Sequence, residues 1–283
     1  MNRRTFLKRM IGGIISIFGI GGGTYYYAKE IEPKLLDIHH VPIQSPNIPA
    51  GFDSYKILQF SDTHLGFHYS IEQLKELVKE INAMNPDVIT FTGDLVDHPQ
   101  EFSWDNQIVS TLSSMSAPDG KYWIYGNHDH GGYGTDIVKQ VFDNAGFQLL
   151  KNSHSLLERN GDKIMLAGLD DIMLGQPDTE AAIQSEEKID FTILLVHEPD
   201  YADTVKDYDI DVQISGHSHG GQVQMPLLGY IYTPYLAEKY VEGYYQVGTR
   251  PLQLYVSRGI GTTRLPYRFL CKPEVTLYEL KKG

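Results

Sequence analysis

Apolar residues along this chain change their period in a regular way. Leu35–Gln44 alternates, with Leu36 and Ile38 followed by Val41 and Ile43, and predicts a first strand. Ser45–Ala50 holds two prolines and reads as a connector. Tyr55–Phe60 is an apolar run of buried-strand length. Ser70–Asn85 then repeats Ile71, Leu74, Leu77, Val78 and Ile81 at helical spacing, with Ser70 and Gln73 set as a capping box. Further strands are predicted at Asp87–Thr92, Lys121–Tyr125, Ser153–Glu158, Lys163–Ala167, Phe191–Val196, Val212–Ser215, Gln222–Met225, Leu252–Ser257 and Val275–Leu280. Further helices are predicted at Trp104–Met115, Asp136–Asn144 and Thr179–Glu187. Strand–helix alternation that gives way to strands implies a parallel sheet joined to a second one. With helices outside both, the fold class is α/β, a four-layer α/β/β/α sandwich of two mixed sheets.

The first 28 residues break the pattern. They carry Arg3, Arg4, Lys8 and Arg9 and no acid, and Met10–Gly23 is an uncharged run rich in Gly and Ile. A basic region followed by an apolar one is a targeting segment, to be set apart from the fold. Asn2–Lys8 resembles the twin-arginine export signal. That resemblance implies the twin-arginine export machinery as a partner and an exported, extracytoplasmic location in the cell envelope. The uncharged run Met10–Ala28 is 19 residues long, within the roughly 17–25 that span a bilayer. Tyr25, Tyr26 and Tyr27 at its end suit an interfacial belt. A retained membrane anchor and a cleaved signal both stay open. The chain thus divides into 1–28, signal or anchor; 29–52, a linker with the first strand; and 53–283, the folded domain.

Net charge changes the choice of partner. The chain carries −12, and because residues 1–28 carry +4 the remainder carries −16. An acidic body argues against nucleic acid, whose backbone is held by clustered Lys and Arg. A small phosphorylated molecule fits better if bound metal ions invert the local field. Cys271 is the single cysteine, so no intramolecular disulfide forms, and it reads as a buried apolar residue near the last strand.

Candidate chemistry falls at the strand ends. Asp62-Thr63-His64 follows Phe60, Gly93-Asp94-Leu95-Val96-Asp97 follows Thr92, and Gly126-Asn127-His128-Asp129 follows Tyr125. His197 follows Val196, and Gly216-His217-Ser218-His219-Gly220-Gly221 follows Ser215. In open α/β sheets ligands bind beyond the carboxyl ends of strands, so these clusters should converge. Carboxylates, imidazoles and an amide oxygen suit Mn, Fe or Zn, and no thiolate set for a Cys-type zinc site is present. The glycines beside the ligands should allow tight turns.

In this order the clusters resemble the D-x-H, G-D-x-x-D, G-N-H-D, lone H and G-H-x-H motifs of the calcineurin-like metallophosphoesterases, from about Tyr55 to Cys271. Arg258–Gly261 and Leu265–Phe269 resemble the exported bacterial subgroup. Some relatives in the wider family act on lipid-linked pyrophosphates such as UDP-2,3-diacylglucosamine. The resemblance implies two divalent metal ions (Mn, Fe or Zn). Asp62, His64 and His219 would hold one, Asn127, His197 and His217 the other, and Asp94 would bridge them. It implies His128 as the catalytic histidine beside the leaving group, Asp129 as the group that orients it, and Asp97 behind the ligands. The family's Arg after the second Asp is His98 here, which leaves Arg258 and Arg264 as candidates for a phosphate contact.

The function so implied is a dinuclear metal-dependent phosphoesterase cleaving a phosphodiester, phosphomonoester or pyrophosphate bond at the outer face of the membrane. Its substrate would be a phosphorylated small molecule or a lipid-linked phosphate. A metal-dependent nuclease and a non-catalytic metal-binding envelope protein are the alternatives. His39, His40, His68, His98 and His154 read as structural, and His130 as an exposed loop residue. Tyr230, Tyr232, Tyr235, Tyr240, Tyr244 and Tyr245 read first as a half-buried surface insert and second as a cap beside the site.

Overall fold

The computed structural model describes residues 21–130 and 135–283. Asn2–Lys8 and the first half of the uncharged run lie outside the described residues. Among the described residues no helix is long and apolar enough to cross a membrane. The first sheet takes β1 (Asp37–Ser45), β2 (Lys56–Phe60), β3 (Val88–Phe91), β4 (Lys121–Trp123) and β5 (Gln148–Leu149). The second takes β6 (Ser153–Arg159), β7 (Asp162–Gly168), β8 (Thr192–Leu195) and β9 (Val212–Ser215). A small hairpin, β10 (Gln224–Met225) and β11 (Gly229–Tyr230), stands apart. β12 (Gly243–Val247) and β13 (Leu252–Val256) complete the second sheet, and β14 (Glu274–Lys282) returns to the first. The helices are α1 (Ile71–Ala83), α2 (Asn106–Ser113), α3 (Asn127–His130), α4 (Thr135–Asn144), α5 (Thr179–Ile183) and α6 (Ala202–Val205).

Strand order is β1-β14-β2-β3-β4-β5 in one sheet and β12-β13-β9-β8-β7-β6 in the other. β2 to β5 run parallel with β14 antiparallel to β2. β7, β8, β9 and β13 run parallel, with antiparallel β6 and β12 at the edges. Both sheets are therefore mixed.

Side-chain alternation builds the layers. On β2, Ile57 joins an inner core with Val88, Leu166, Ile193 and Ile214 from the two sheets. Leu58 and Phe60 face the other way, into an outer core with Leu74 and Ile81 of α1, Leu112 of α2 and Phe142 of α4. Across the molecule Met165, Leu194 and Leu254 pack on Ala182 of α5 and Val205 of α6. The result is the expected α/β/β/α sandwich. Ser70 and Gln73 make both bonds of the capping box at α1.

α5 and β12 depart from the expectation. α5 stops at Ile183, because Gln184–Lys188 offers no apolar residue to bury and Gln184 turns extended. β12 lies inside the tyrosine-rich stretch, paired antiparallel with β13, where a tyrosine pattern masked its alternation. β1, the first strand expected at Leu35–Gln44, pairs with β14 from Asp37↔Glu274 to Ser45↔Lys282. Ahead of it Ala28 and Glu32 are buried, and Ala28 O accepts from Arg268 N at 2.9 Å.

Polar Gln59 interrupts the apolar run of β2 within the buried layer. Its amide donates to Thr92 Oγ1 at 2.8 Å and Ser215 O at 2.9 Å, and accepts from Tyr278 OH at 2.7 Å. It thus ties the two sheets just before the loops that leave β2 and β9. Gln59→Leu would strand the Tyr278 hydroxyl at about 1–3 kcal/mol, while Ser215 O would lose the Gln59 donor and keep Ser257 N at 2.9 Å. Urea denaturation of the variant should show a loss of that order; an unchanged midpoint and slope would contradict the role.

Candidate metal centre

The clusters expected from the sequence do meet at the carboxyl ends of β2, β3, β4, β8 and β9. Their backbone is strained. Asp62 (φ 55°), His64 (φ 43°), Asp94 (φ 65°), His217 (φ 66°) and His219 (φ 51°) all lie in the left-handed region. Each such residue costs on the order of 1–3 kcal/mol and persists only where its surroundings over-determine it. The neighbouring glycines act in two ways. Gly93 (φ 100°) supplies a turn that other residues resist. Gly126 and Gly216 supply space instead: a Cβ on Gly126 would strike Asp94 Oδ1 and the His197 ring, and one on Gly216 would strike Ser61 Oγ and Asp62.

Two buried groups result, Asp62–His64–His219 and Asp94–His197–His217, each with its ligand atoms within 4.8 Å of one another. His64 Nε2 is 3.1 Å from His219 Nε2, and Asp62 Oδ1 is 3.5 Å from the latter. His217 Nδ1 is 3.2 Å from His197 Nε2. Asp94 Oδ2 lies 3.3 Å from His197 Nε2 and 3.6 Å from His64 Nε2, so one carboxylate oxygen faces both groups. Asn127 Oδ1 is buried and has no hydrogen-bond partner among the described residues.

The far side of three imidazoles is tethered. His64 Nδ1 pairs with Asp97 Oδ1 at 3.0 Å, His197 Nδ1 donates to Thr92 O at 2.6 Å, and His217 Nε2 donates to Tyr235 O at 2.9 Å. Such partners fix the ring and leave the opposite nitrogen as an acceptor aimed inward. Two acceptor nitrogens facing each other at hydrogen-bond distance repel unless a cation is shared between them. The donor set, with its orphaned amide oxygen, therefore fits two divalent ions. Tyr235 O and Thr92 O, both backbone atoms, carried no sequence signal.

His128 and Asp129 take different places. The His128 backbone N–H donates to Asp94 Oδ1 at 2.9 Å, and its Nδ1 donates to Asp97 O at 2.7 Å. Asp129 does not orient the ring. Its carboxylate accepts the backbone N–H groups of Asp94 (2.7 Å), Leu95 (3.0 Å) and Gly126 (3.0 Å), bracing two ligand loops. One position along a helical turn rotates a side chain by about 100°, which points it away from its neighbour's. Orientation of His128 falls to Asp97.

Other candidates separate as well. Arg258 is committed elsewhere, bonding Glu274 Oε2 at 2.6 Å and Asp37 Oδ2 at 3.1 Å. Arg264 lines the cavity above the ligands, with its guanidinium 4.9 Å from the Tyr232 ring centroid. His130 is largely buried rather than an exposed loop residue, paired with Asp170 Oδ1 at 2.6 Å. His98 is exposed, 3.3 Å from Asp97 Oδ2. That cavity encloses about 590 Å³ and is walled by Asp94, Asn127, His128 and His219 below and Ile231, Tyr232, Tyr235 and Tyr267 above. Part of the tyrosine-rich stretch is thus a cap beside the site.

A family model described as calcineurin-like phosphoesterase matches residues 55–221. The chain belongs to the calcineurin-like phosphoesterase family. It is 46% identical over 282 residues to the uncharacterized metallophosphoesterase YkuE of Bacillus subtilis (strain 168), covering 99% of this chain and 98% of that protein. The phosphodiesterase YaeI of Escherichia coli (strain K12) is 28% identical over 290 residues, 99% of both chains. The UDP-2,3-diacylglucosamine pyrophosphatase LpxG of Chlamydia muridarum (strain MoPn / Nigg) is 26% identical over 327 residues, 94% of this chain and 97% of that one. As a member of the calcineurin-like family, this protein is a metal-dependent phosphoesterase, and its buried His/Asp groups are consistent with a dinuclear centre.

Electrostatics within this phosphoesterase site set its proton inventory. Burial alone would raise the Asp94 carboxyl, but the charges of His197 and His128 hold it well below the usual range. Burial would lower His197, yet Asp94 raises it well above an ordinary histidine. Burial and the neighbouring His197 push His217 down to about 3. Burial and the Asp94 charge push Asp129 up to about 7, against its three backbone donors.

Metal-free protein at neutral pH therefore holds a protonated His197 beside Asp94, and a ligand must be neutral. Manganese uptake at pH 7 should release a proton. Titration calorimetry in buffers of different ionisation enthalpy should detect it, with affinity rising as pH rises toward the His197 pKa. A heat that does not depend on the buffer would contradict this.

Proposed function

We propose that the protein hydrolyses a phosphodiester or pyrophosphate bond in a lipid-linked substrate at the outer face of the membrane, with Asp62, His64 and His219 at one ion, Asn127, His197 and His217 at the other, and Asp94 between them. The carrying observation is Asp94 Oδ2, which faces both buried ligand groups on the floor of the cavity. Two divalent ions, when bound, activate water near neutral pH and neutralise charge on the phosphoryl oxygens. The chain's own residues do the rest. Asp97 O holds His128 by Nδ1, so its Nε2 is the nitrogen left to give a proton to the leaving oxygen. Arg264 on the cavity wall meets the phosphate or the group beyond it. Ile231, Tyr232, Tyr235 and Tyr267 give the substrate an apolar side.

A diester or pyrophosphate substrate draws support from the printed names of two relatives, a phosphodiesterase and a pyrophosphatase of a diacylated nucleotide sugar. A lipid-linked substrate draws support from the apolar wall and from the uncharged run Met10–Ala28. The twin-arginine-like Asn2–Lys8 favours export by that machinery. A nuclease would need a basic groove, whereas the body carries −16 and Arg264 is the one Lys or Arg on the described cavity wall.

Burial would lower His128, but Asp94 and then the Asp97 carbonyl raise it above an ordinary histidine. Its acid form is complete below that raised pKa and is lost as pH climbs through it, so turnover of poor leaving groups should fall on the alkaline side. His128→Ala should lower kcat on an alkyl diester by about 10²–10⁴ with metal content unchanged. The loss should shrink for bis-p-nitrophenyl phosphate, whose leaving group needs no proton. Asp94→Ala should lose both metal and turnover. A His128→Ala enzyme with wild-type kcat and the same alkaline limb would overturn the acid role. Faster turnover of p-nitrophenyl phosphate than of its bis ester would overturn the diester reading.

A further inference from the structure

The stretch Val223–Ala237 carries no charged residue in a body of strongly acidic composition. Its hairpin tip is exposed: Leu227 and Leu228 show 107% and 83% of their reference area, and Ile231 shows 66%. The turn is unfavourable as built. Leu228 N donates to Met225 O at 3.1 Å, Pro226 holds the second position, and Leu227 occupies the third with φ 70°. A turn with positive φ at that position prefers Gly or Asn. Leucine there adds strain, and full exposure means that no packing among the described residues explains it. Beyond the tip, Ile231, Tyr232 and Tyr235 continue onto the wall of the phosphoesterase cavity, where Leu265 joins them.

This rim is continuous with the place where the N-terminal run meets the fold. Phe269 N donates to Gln222 O at 3.1 Å, and Gln224 N donates to Phe269 O at 2.8 Å, which fastens the hairpin to segment 265–270. The same segment also takes up residues 25–28. The Tyr25 and Tyr267 rings lie 5.5 Å apart, those of Tyr27 and Phe269 lie 6.4 Å apart, and Arg268 N bonds Ala28 O at 2.9 Å. Tyr25, Tyr27 and Ala28, which end the uncharged run, therefore meet the domain at the rim of the active-site cavity. Residues 1–28, with +4 and no acid around a long uncharged run, suit the anionic headgroups and apolar interior of a bilayer.

We infer that the hairpin tip around Leu227 and Leu228, with the exposed Leu265 and Leu270 of segment 265–270, is a bilayer-contacting surface that lays the mouth of the catalytic cavity against the lipid headgroups. This rests on the reading of the site as one that works on membrane-borne phosphate esters, and it adds the surface by which the enzyme reaches them. Each leucine that leaves water contributes on the order of tenfold in partition.

The test uses the full chain with Leu228→Cys carrying an environment-sensitive fluorophore. Cys271 is buried and leaves the new thiol as the reactive one. Lys188→Cys is the comparison site, highly exposed and ahead of β8, at the end of that strand away from His197. Vesicles of phosphatidylethanolamine and phosphatidylglycerol, with and without a lipid-borne quencher, are added, and turnover of bis-p-nitrophenyl phosphate is read in the same samples. The expected result is a blue shift and quenching at position 228, none at 188, and loss of the shift when Leu227→Glu is added, with soluble turnover kept throughout. A label at 228 that ignores vesicles, in protein that sediments with them and still turns over the soluble ester, overturns the docking surface alone. A concentration-dependent shift without vesicles overturns it in favour of self-association. Insertion at 228 in metal-loaded protein without turnover would instead overturn the phosphoesterase reading and leave the surface standing.

Discussion

Asp94 places one carboxylate oxygen between two buried sets of imidazoles, and much of the molecule answers to that placement. A buried carboxylate is expensive unless it is paired and hydrogen-bonded. Here Oδ1 accepts from His128 N, while Oδ2 faces His64 and His197. The loop that carries Asp94 is held in the left-handed region by Asp129, whose carboxylate takes the N–H groups of Asp94, Leu95 and Gly126. Gly93 and Gly126 are bare because any side chain would enter the space of His197 or of Asp94 itself. Gln59 fixes the two sheets to each other one step below, so that ligands from β2 and β3 meet those from β8 and β9. A site assembled from two sheets is only as well formed as the register between them.

The same arrangement explains why the inner ends of the histidines are left facing one another. Each tether on the outer nitrogen commits the inner one as an acceptor, and the sum is a concentration of lone pairs that only cations satisfy. Metal binding in such a site is folding free energy as well as function. Left-handed backbone at Asp62, His64, Asp94, His217 and His219 is strain held by the bracing bonds, to which bound ions would add. The cap is linked to the centre through Tyr235, whose carbonyl holds His217 while the residue itself lines the cavity. Substrate contact on the cap and geometry at one ion thus share a residue.

Much of this was legible in the sequence because ligand chemistry cannot be substituted freely. The order of Asp62, His64, Asp94, Asn127, His128, His197, His217 and His219 after short apolar runs placed them at strand ends, and those ends lie together. The sandwich followed from the change of period along the chain, and the capping box at Ser70 located α1. What escaped is carried by backbone atoms or by direction. Thr92 O and Tyr235 O leave no mark in a sequence, and the choice between Asp97 and Asp129 as the partner of His128 depends on which way one helical turn points. Arg258 and Arg264 look alike in sequence, yet one is clamped by Asp37 and Glu274 and the other faces the cavity. The edge strand β12 hid in a tyrosine-rich stretch because Tyr serves strand, cap and surface equally well.

The claim on which the account rests is that these residues hold two ions sharing Asp94. Anomalous X-ray scattering from crystals of manganese-loaded protein tests it directly. Two peaks about 3.5–4 Å apart are expected, one against Asp62, His64 and His219, the other against Asn127, His197 and His217, with Asp94 touching both. A single fully occupied peak in active protein, or two peaks with Asp94 bound to only one, would contradict it.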